Sequence, residues 1–100
     1  MPATPALPIV HNLAHSRFEA MLPEGLARAD YRRVANTLHM IHTEVPRAVE
    51  GRGIAGELVQ AALDYAAANG LKVLPLCSYV RGYMGRHPDS HALLAPGSRI

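Results

Sequence analysis

A single cysteine, Cys77, stands in this chain of 100 residues, so no internal disulfide can form and a reducing compartment suits it. No stretch reaches the roughly 20 apolar residues that a membrane-spanning helix needs. The opening MPATPALP carries neither a basic start nor an apolar core of leader length, and the expectation is a cytoplasmic chain without a membrane partner. Lys72 is the lone lysine, no basic run stands out, and the net charge of +2 is mild. That balance suits anion binding and argues against a nucleic-acid groove. The histidines sit apart at 11, 15, 39, 42, 87 and 91; His87 and His91 share helical i, i+4 spacing, and no metal site is expected. No internal repeat appears, and low complexity is confined to the start.

What is present is enough for one core. With 49% hydrophobic and 18% charged residues the composition is that of a compact domain. A chain of this length buries roughly 60 to 70% of its unfolded surface and leaves no room for a second domain. The reading is a tail over 1–6, one domain over 7–95 and a short tail over 96–100, monomeric or weakly dimeric.

Hydrophobic periodicity divides that domain. Residues 7–13 alternate loosely as a first strand. Residues 16–22 set Phe18, Ala20 and Leu22 against Arg17, Glu19 and Met21, and Pro23-Glu24-Gly25 closes a hairpin. Residues 26–35 alternate again, and 37–43 supply a fourth strand. Ile54, Leu58, Ala62 and Ala66 then recur at helical spacing, widened by Ala55, Val59 and Leu63, with Asn69-Gly70 as the stop. An apolar run over 71–77 reads as a strand holding Pro75 at an edge or bulge. Ser78 caps a short helix to about Gly85, and 89–94 add a last turn. Strand, helix and strand in that order imply a right-handed crossover, with the fourth and fifth strands side by side and parallel. The fold class is α+β.

The most informative segment is TEVPRAVEGRGIAGEL, residues 43–58, where Gly51, Gly53 and Gly56 lead into the long helix. A GxGxxG at a strand-to-helix junction offers backbone N–H groups to a phosphate with no side chain in the way. The same spelling marks dinucleotide folds, but there it follows the first strand, and about 50 residues of strand precede it in this chain. It also fits a glycine turn and helix cap with no ligand.

Four blocks sharpen the choice: His42-Thr43-Glu44-Val45-Pro46, Gly51-Arg52-Gly53-Ile54-Ala55, Pro75-Leu76-Cys77-Ser78-Tyr79-Val80 and Arg86-His87-Pro88. In this order and spacing they resemble the small single-domain branch of the GNAT N-acetyltransferase superfamily, over most of residues 9–94. The resemblance implies a minimal acetyl-CoA-binding fold with a splayed pair of central strands and acetyl-CoA or CoA as co-substrate. Gly51, Arg52, Gly53, Ile54, Ala55 and Gly56 map to the pyrophosphate loop, and Ile41, His42, Thr43 and Val45 to the strand that pairs with the pantetheine arm. The chain departs from the pattern at Ala48, where Gln or Arg is usual, and in lacking the helices that normally follow the first strand. Those helices help to wall the acceptor site, so the acceptor does not carry over.

Acetyl transfer to an amine needs a neutral amine, a polarised thioester carbonyl and a proton for the departing thiolate. Glu44 and His42 are the candidate bases, each open to a plain hydrogen-bonding role. Tyr79 and Tyr83, on one face of the short helix, are the candidate acids, in the place where the resemblance puts such a tyrosine. Cys77 precedes a helix N-terminus, whose partial charge favours a thiolate, and is either a covalent relay or a small buried hydrophobe. Arg81, Arg86 and His87 are open to the 3′-phosphate or to solvent. Two readings follow: an acetyltransferase acting on a primary amine, of a protein or a small molecule, or a CoA-binding sensor without turnover. An anion-binding turn used as an interaction module is a third.

Overall fold

The computed structural model describes residues 7–100; the expected tail over 1–6 lies outside them. Five strands form one sheet in sequence order: β1 (Ile9–Asn12), β2 (Arg17–Leu22), β3 (Gly25–Val34), β4 (Thr37–Glu44) and β5 (Lys72–Pro75). The first four run antiparallel and β5 lies parallel to β4, as the crossover through α1 (Ile54–Ala68) requires. Helix α2 (Ser78–Gly85) follows β5, and 3-10 turns span Arg47–Val49 and Pro88–Leu93. The last turn thus begins one residue earlier than expected, on Pro88, whose fixed φ suits a first helical position.

Alternation decides which face is covered. Phe18 and Ala20 of β2, Ala27, Ala29 and Tyr31 of β3, and Leu38 and Met40 of β4 are buried against Leu58, Val59, Ala62, Leu63 and Ala66 of α1. Each large side chain among them contributes about 1.5 to 3 kcal/mol relative to exposure. Helix α1 stops where the sequence indicates. Gly70 takes φ 67°, and the Leu71 N–H bonds back to the Ala66 carbonyl at 2.9 Å. Leu71, expected to open β5, closes this helix cap instead. Beyond the last 3-10 turn, Leu94 bridges Val73, and the Ala95 N–H donates to the Val73 carbonyl at 2.9 Å.

Between β1 and β2 the chain turns through residues 13–16, with Ser16 at φ 51°, so the absence of helices there is a tight turn and not a rearrangement. At the far end a bulge breaks the β3–β4 ladder: Asp30 faces His42 and Tyr31 faces Met40, leaving Ile41 without a partner residue. The bulge moves the alternation by one. Thr43 therefore shares the helix-covered face with its neighbour Ala29, while His42 and Glu44 share the other face with Asp30 and Arg28.

Candidate active site

The parallel pairing ends at Met40 and Pro75, although β4 continues to Glu44. Two causes coincide. Pro75 has no N–H to donate, and the Met40 carbonyl takes the next two amides, of Leu76 and Cys77, both at 3.0 Å. Past that point β4 and the chain after β5 part, with Ile41 and Leu76 both about half exposed at the fork.

Into this fork opens a cavity of about 370 Å³, lined by Thr43 of β4, Val45 just beyond it, Val49, Glu50, Gly51 and Gly53 of the loop, Ile54 and Ala55 of α1, and Tyr79 of α2. That volume is in the range of small-molecule sites. The loop is shaped by its glycines: Gly51 and Gly53 sit at φ 83° and 80°, where a Cβ meets no neighbour but the backbone itself is strained. Gly53 caps α1 without any side-chain bond, and the first intrahelical amide to reach it is that of Glu57, at 3.1 Å. The amides of Ile54, Ala55 and Gly56 thus have no intrahelical acceptor, which suits an anion at the positive end of the helix. Gly56 has a different task. A Cβ there would stand 3.3 Å from the Tyr83 ring and 3.4 Å from the Tyr79 hydroxyl, so its glycine lets α2 approach α1.

Of the residues expected in the loop and strand, Thr43, Val45, Gly51, Gly53, Ile54 and Ala55 line the cavity. Arg52 is exposed at the loop tip and Ala48 is exposed in the 3-10 turn. Ile41 lies at the bulge, and His42 is exposed on the opposite face of the sheet. Val49 and Glu50 were not anticipated. Val49 is buried by the 3-10 turn after Pro46, and its signal was an apolar residue in an otherwise polar loop.

The candidate acids and bases differ in what they touch. Tyr79 lines the cavity. Tyr83 does not: it stacks on the His87 ring at 4.0 Å and donates to Gln60 Oε1 at 2.5 Å. Burial, then the nearby Tyr79 and acidic groups, push the Tyr83 phenol up, so it stays a donor. Cys77, half-buried, is the residue before α2, with Sγ 3.7 Å from Thr43 Oγ1. Glu44 Oε2 accepts from Arg28 Nη2 at 2.5 Å and lies 3.8 Å from His42 Nε2. The Arg28 guanidinium, with a smaller contribution from His42, holds the Glu44 carboxyl below the usual range. Glu44 lines a second cavity of about 380 Å³ that shares Thr43, Val45 and Glu50 with the first, so the end of β4 partitions the two.

Three of the remaining basic side chains are engaged elsewhere. Arg81 Nη1 donates to the Leu76 carbonyl at 3.0 Å, His87 Nδ1 meets the Tyr83 carbonyl at 2.7 Å and His91 Nε2 the Met84 carbonyl at 2.8 Å. Arg86 is exposed.

A family profile described as GCN5-related N-acetyl-transferase matches residues 17–93. The chain belongs to that family. An NMR structure of a GCN5-like N-acetyltransferase candidate from Staphylococcus aureus superposes with a TM-score of 0.72 at 25% identity, covering 89% of this chain and 88% of that one. The protein NATD1 of Xenopus tropicalis is 42% identical over 52 residues, and that of Homo sapiens 47% identical over 47. These alignments take in 52% and 47% of this chain and only 48% and 42% of the relatives, so the chain spans about half the length of the curated relatives it matches. The minimal GNAT-type α+β fold and the membership of the N-acetyltransferase family expected from the four blocks are borne out. No helix among the described residues is long and apolar enough to cross a membrane.

Proposed function

We propose that this protein transfers the acetyl group of acetyl-CoA to a primary amine, in the cytoplasm. The observation that carries the reading is the meeting of two features at one cavity: the unpaired amides that open α1, and the fork between β4 and β5. The loop from Gly51 to Gly56 would hold the pyrophosphate, chiefly through backbone N–H groups, because Ala48 offers no side chain to it. The strand from Ile41 to Val45 would receive the pantetheine arm along its unpaired edge and direct an amide at the thioester carbonyl.

The amine must lose a proton before it attacks. His42 is the better candidate base, since Glu44 is neutralised by Arg28 and is correspondingly weak. Tyr79, on the cavity wall, is the better candidate for protonating the departing thiolate, since the Tyr83 hydroxyl is committed to Gln60. Cys77 beside Thr43 stands where an acetyl group would pass, and a covalent route would need its thiolate to attack the thioester and release CoA before the amine takes the acetyl group.

A second reading, a CoA-binding sensor without turnover, is favoured by one observation: two of the candidate proton-transfer groups, Glu44 and Tyr83, are already occupied by Arg28 and Gln60. Calorimetry with acetyl-CoA and CoA, followed by thiol release with a panel of amines and amine-bearing peptides, separates the two. Micromolar binding with turnover supports the enzyme, binding without turnover supports the sensor, and absence of binding overturns both.

A further inference from the structure

The face of the sheet turned away from the helices carries a charge ladder in which Arg28 bonds to its cross-strand neighbour on β4, Glu44, and not to the one on β2. Register places Glu19 opposite Arg28 and Arg17 opposite Asp30. Yet Glu19 Oε1 is taken by Arg17 Nε at 2.8 Å and by Asn12 Nδ2 at 2.6 Å, both away from Arg28. Arg28 is thereby released toward the other side. Its Nη1 donates to Asp30 Oδ2, and its Nη2 donates to Glu44 Oε2, the oxygen that also faces His42. Asp30 Oδ1 is buried without a donor among the described residues, so Asp30 is compensated through Arg28.

One planar guanidinium joins a carboxylate on its own strand to the terminal residue of β4, beyond the point where β4 leaves β5. Glu44 is otherwise more than half exposed and would sample many rotamers. Arg47 and Glu50 border the same cavity as Glu44 but neither is bonded to it.

We propose that Arg28 is a positioning residue for acyl transfer, pinning Glu44 as an anion beside His42 at the fork. Its fork geometry matters as well as its charge, because an ammonium cannot serve both carboxylates in one plane. The inference rests on the acetyltransferase reading above. In that scheme the ammonium's proton passes to His42, the neutral amine attacks the thioester carbonyl, the C–S bond breaks and CoA leaves as a thiolate that takes the Tyr79 proton, which the nitrogen's surplus proton then replaces, while Glu44 compensates the imidazolium charge. Arg28 touches neither substrate and acts only through Glu44.

The test is a double-mutant cycle on kcat/KM with Arg28→Gln, Glu44→Gln and the pair, with thermal unfolding confirming that each folds. Each single change is expected to lower kcat for the amine about tenfold, and the pair no more than either alone, because residues acting as one unit are non-additive. The KM for acetyl-CoA should stay unchanged. Arg28→Lys, which keeps the charge, should recover only part of the loss, and it provides the same comparison should Arg28→Gln fail to fold. Additive losses, a loss carried by the acetyl-CoA KM, or full activity in Arg28→Gln would overturn the assignment while leaving the acetyltransferase reading intact. Wild-type protein that binds acetyl-CoA without acetylating any amine would overturn both.

Discussion

Cys77 Sγ and Thr43 Oγ1 lie 3.7 Å apart, and they join the two arms of the fork beyond the end of the β4–β5 pairing at Met40 and Pro75. A contact of this length between a thiol and a hydroxyl is weak. Its importance is therefore positional: it brings together the wall along which the pantetheine arm would run and the residue before α2. Direct transfer predicts that Cys77→Ala keeps turnover within about threefold, since the side chain then only fills space. Thiol release with an amine acceptor measures this, and mass spectrometry after mixing with acetyl-CoA alone should show no acetylated protein. A loss near the 10²-fold or larger effect of removing a nucleophile, together with an acetyl adduct on the wild type, would establish the covalent route instead.

Tyr79 and Tyr83 share a helix face, yet the structure divides their duties. Tyr79→Phe should lower turnover by about 100-fold, at the low end of what a positioned acid supplies, while leaving stability nearly unchanged. Tyr83→Phe should do the reverse. It leaves Gln60 Oε1 without its donor, which costs about 1 kcal/mol in urea unfolding, and it should keep turnover near wild type. Equal kinetic losses from both changes would show that the buried phenol takes part in proton transfer.

The three glycines of GxGxxG are predicted to fail in two ways. Ala at Gly51 or Gly53 forces a side chain into the left-handed region, costing about 1 to 2 kcal/mol and distorting the loop, so acetyl-CoA affinity should fall with stability. Ala at Gly56 meets Tyr79 and Tyr83 and separates the two helices, so its main effect should be a loss of about 1 to 3 kcal/mol of stability. Calorimetry and urea unfolding on the same variants distinguish the two.

Those glycines also mark how far local pattern reaches. Strand order, the crossover and the span of α1 were legible because each follows from periodicity and from turn residues adjacent in the chain. The bulge at Ile41 was not. Nothing in Met40-Ile41-His42 signals that one residue loses its partner, and the bulge alone decides that Thr43 faces the cavity and His42 the other side. The Arg28–Glu44 pair was equally hidden. It depends on β3–β4 register and on Glu19 being occupied by Arg17 and Asn12, three contacts that come together only when the sheet forms. Alternation placed Arg28 on a face but could not say which carboxylate it would choose.

Glu50 introduces a negative charge where the proposed ligand is also negative. It precedes Gly51 and lines the cavity at the opening of α1. Glu50→Gln should therefore strengthen acetyl-CoA binding severalfold at low ionic strength, and the gain should shrink as salt is raised past about 0.15 M, where the screening length is roughly 8 Å. Calorimetry across a salt series tests this. A loss of affinity would show that Glu50 holds the loop's shape and that this role outweighs repulsion.

His11 predicts how stability depends on pH, at the end of the sheet away from the fork. Its ring stacks on Phe18 at 4.1 Å, meets the edge of Tyr65 at 4.5 Å and has Nε2 2.5 Å from the Tyr31 hydroxyl. Burial among these rings lowers the His11 pKa from its ordinary value, so the folded chain resists protonation that the unfolded chain accepts. The unfolded state then binds more protons in the window below about pH 6.5, and unfolding free energy rises with pH across it. The contribution is complete above the unfolded value and is lost as pH falls from there through the folded one. Urea midpoints measured from pH 5 to 8 should show this slope, and His11→Gln should flatten it. If the slope persists in that variant, another group is responsible and the His11 ring is protonated within the fold without cost.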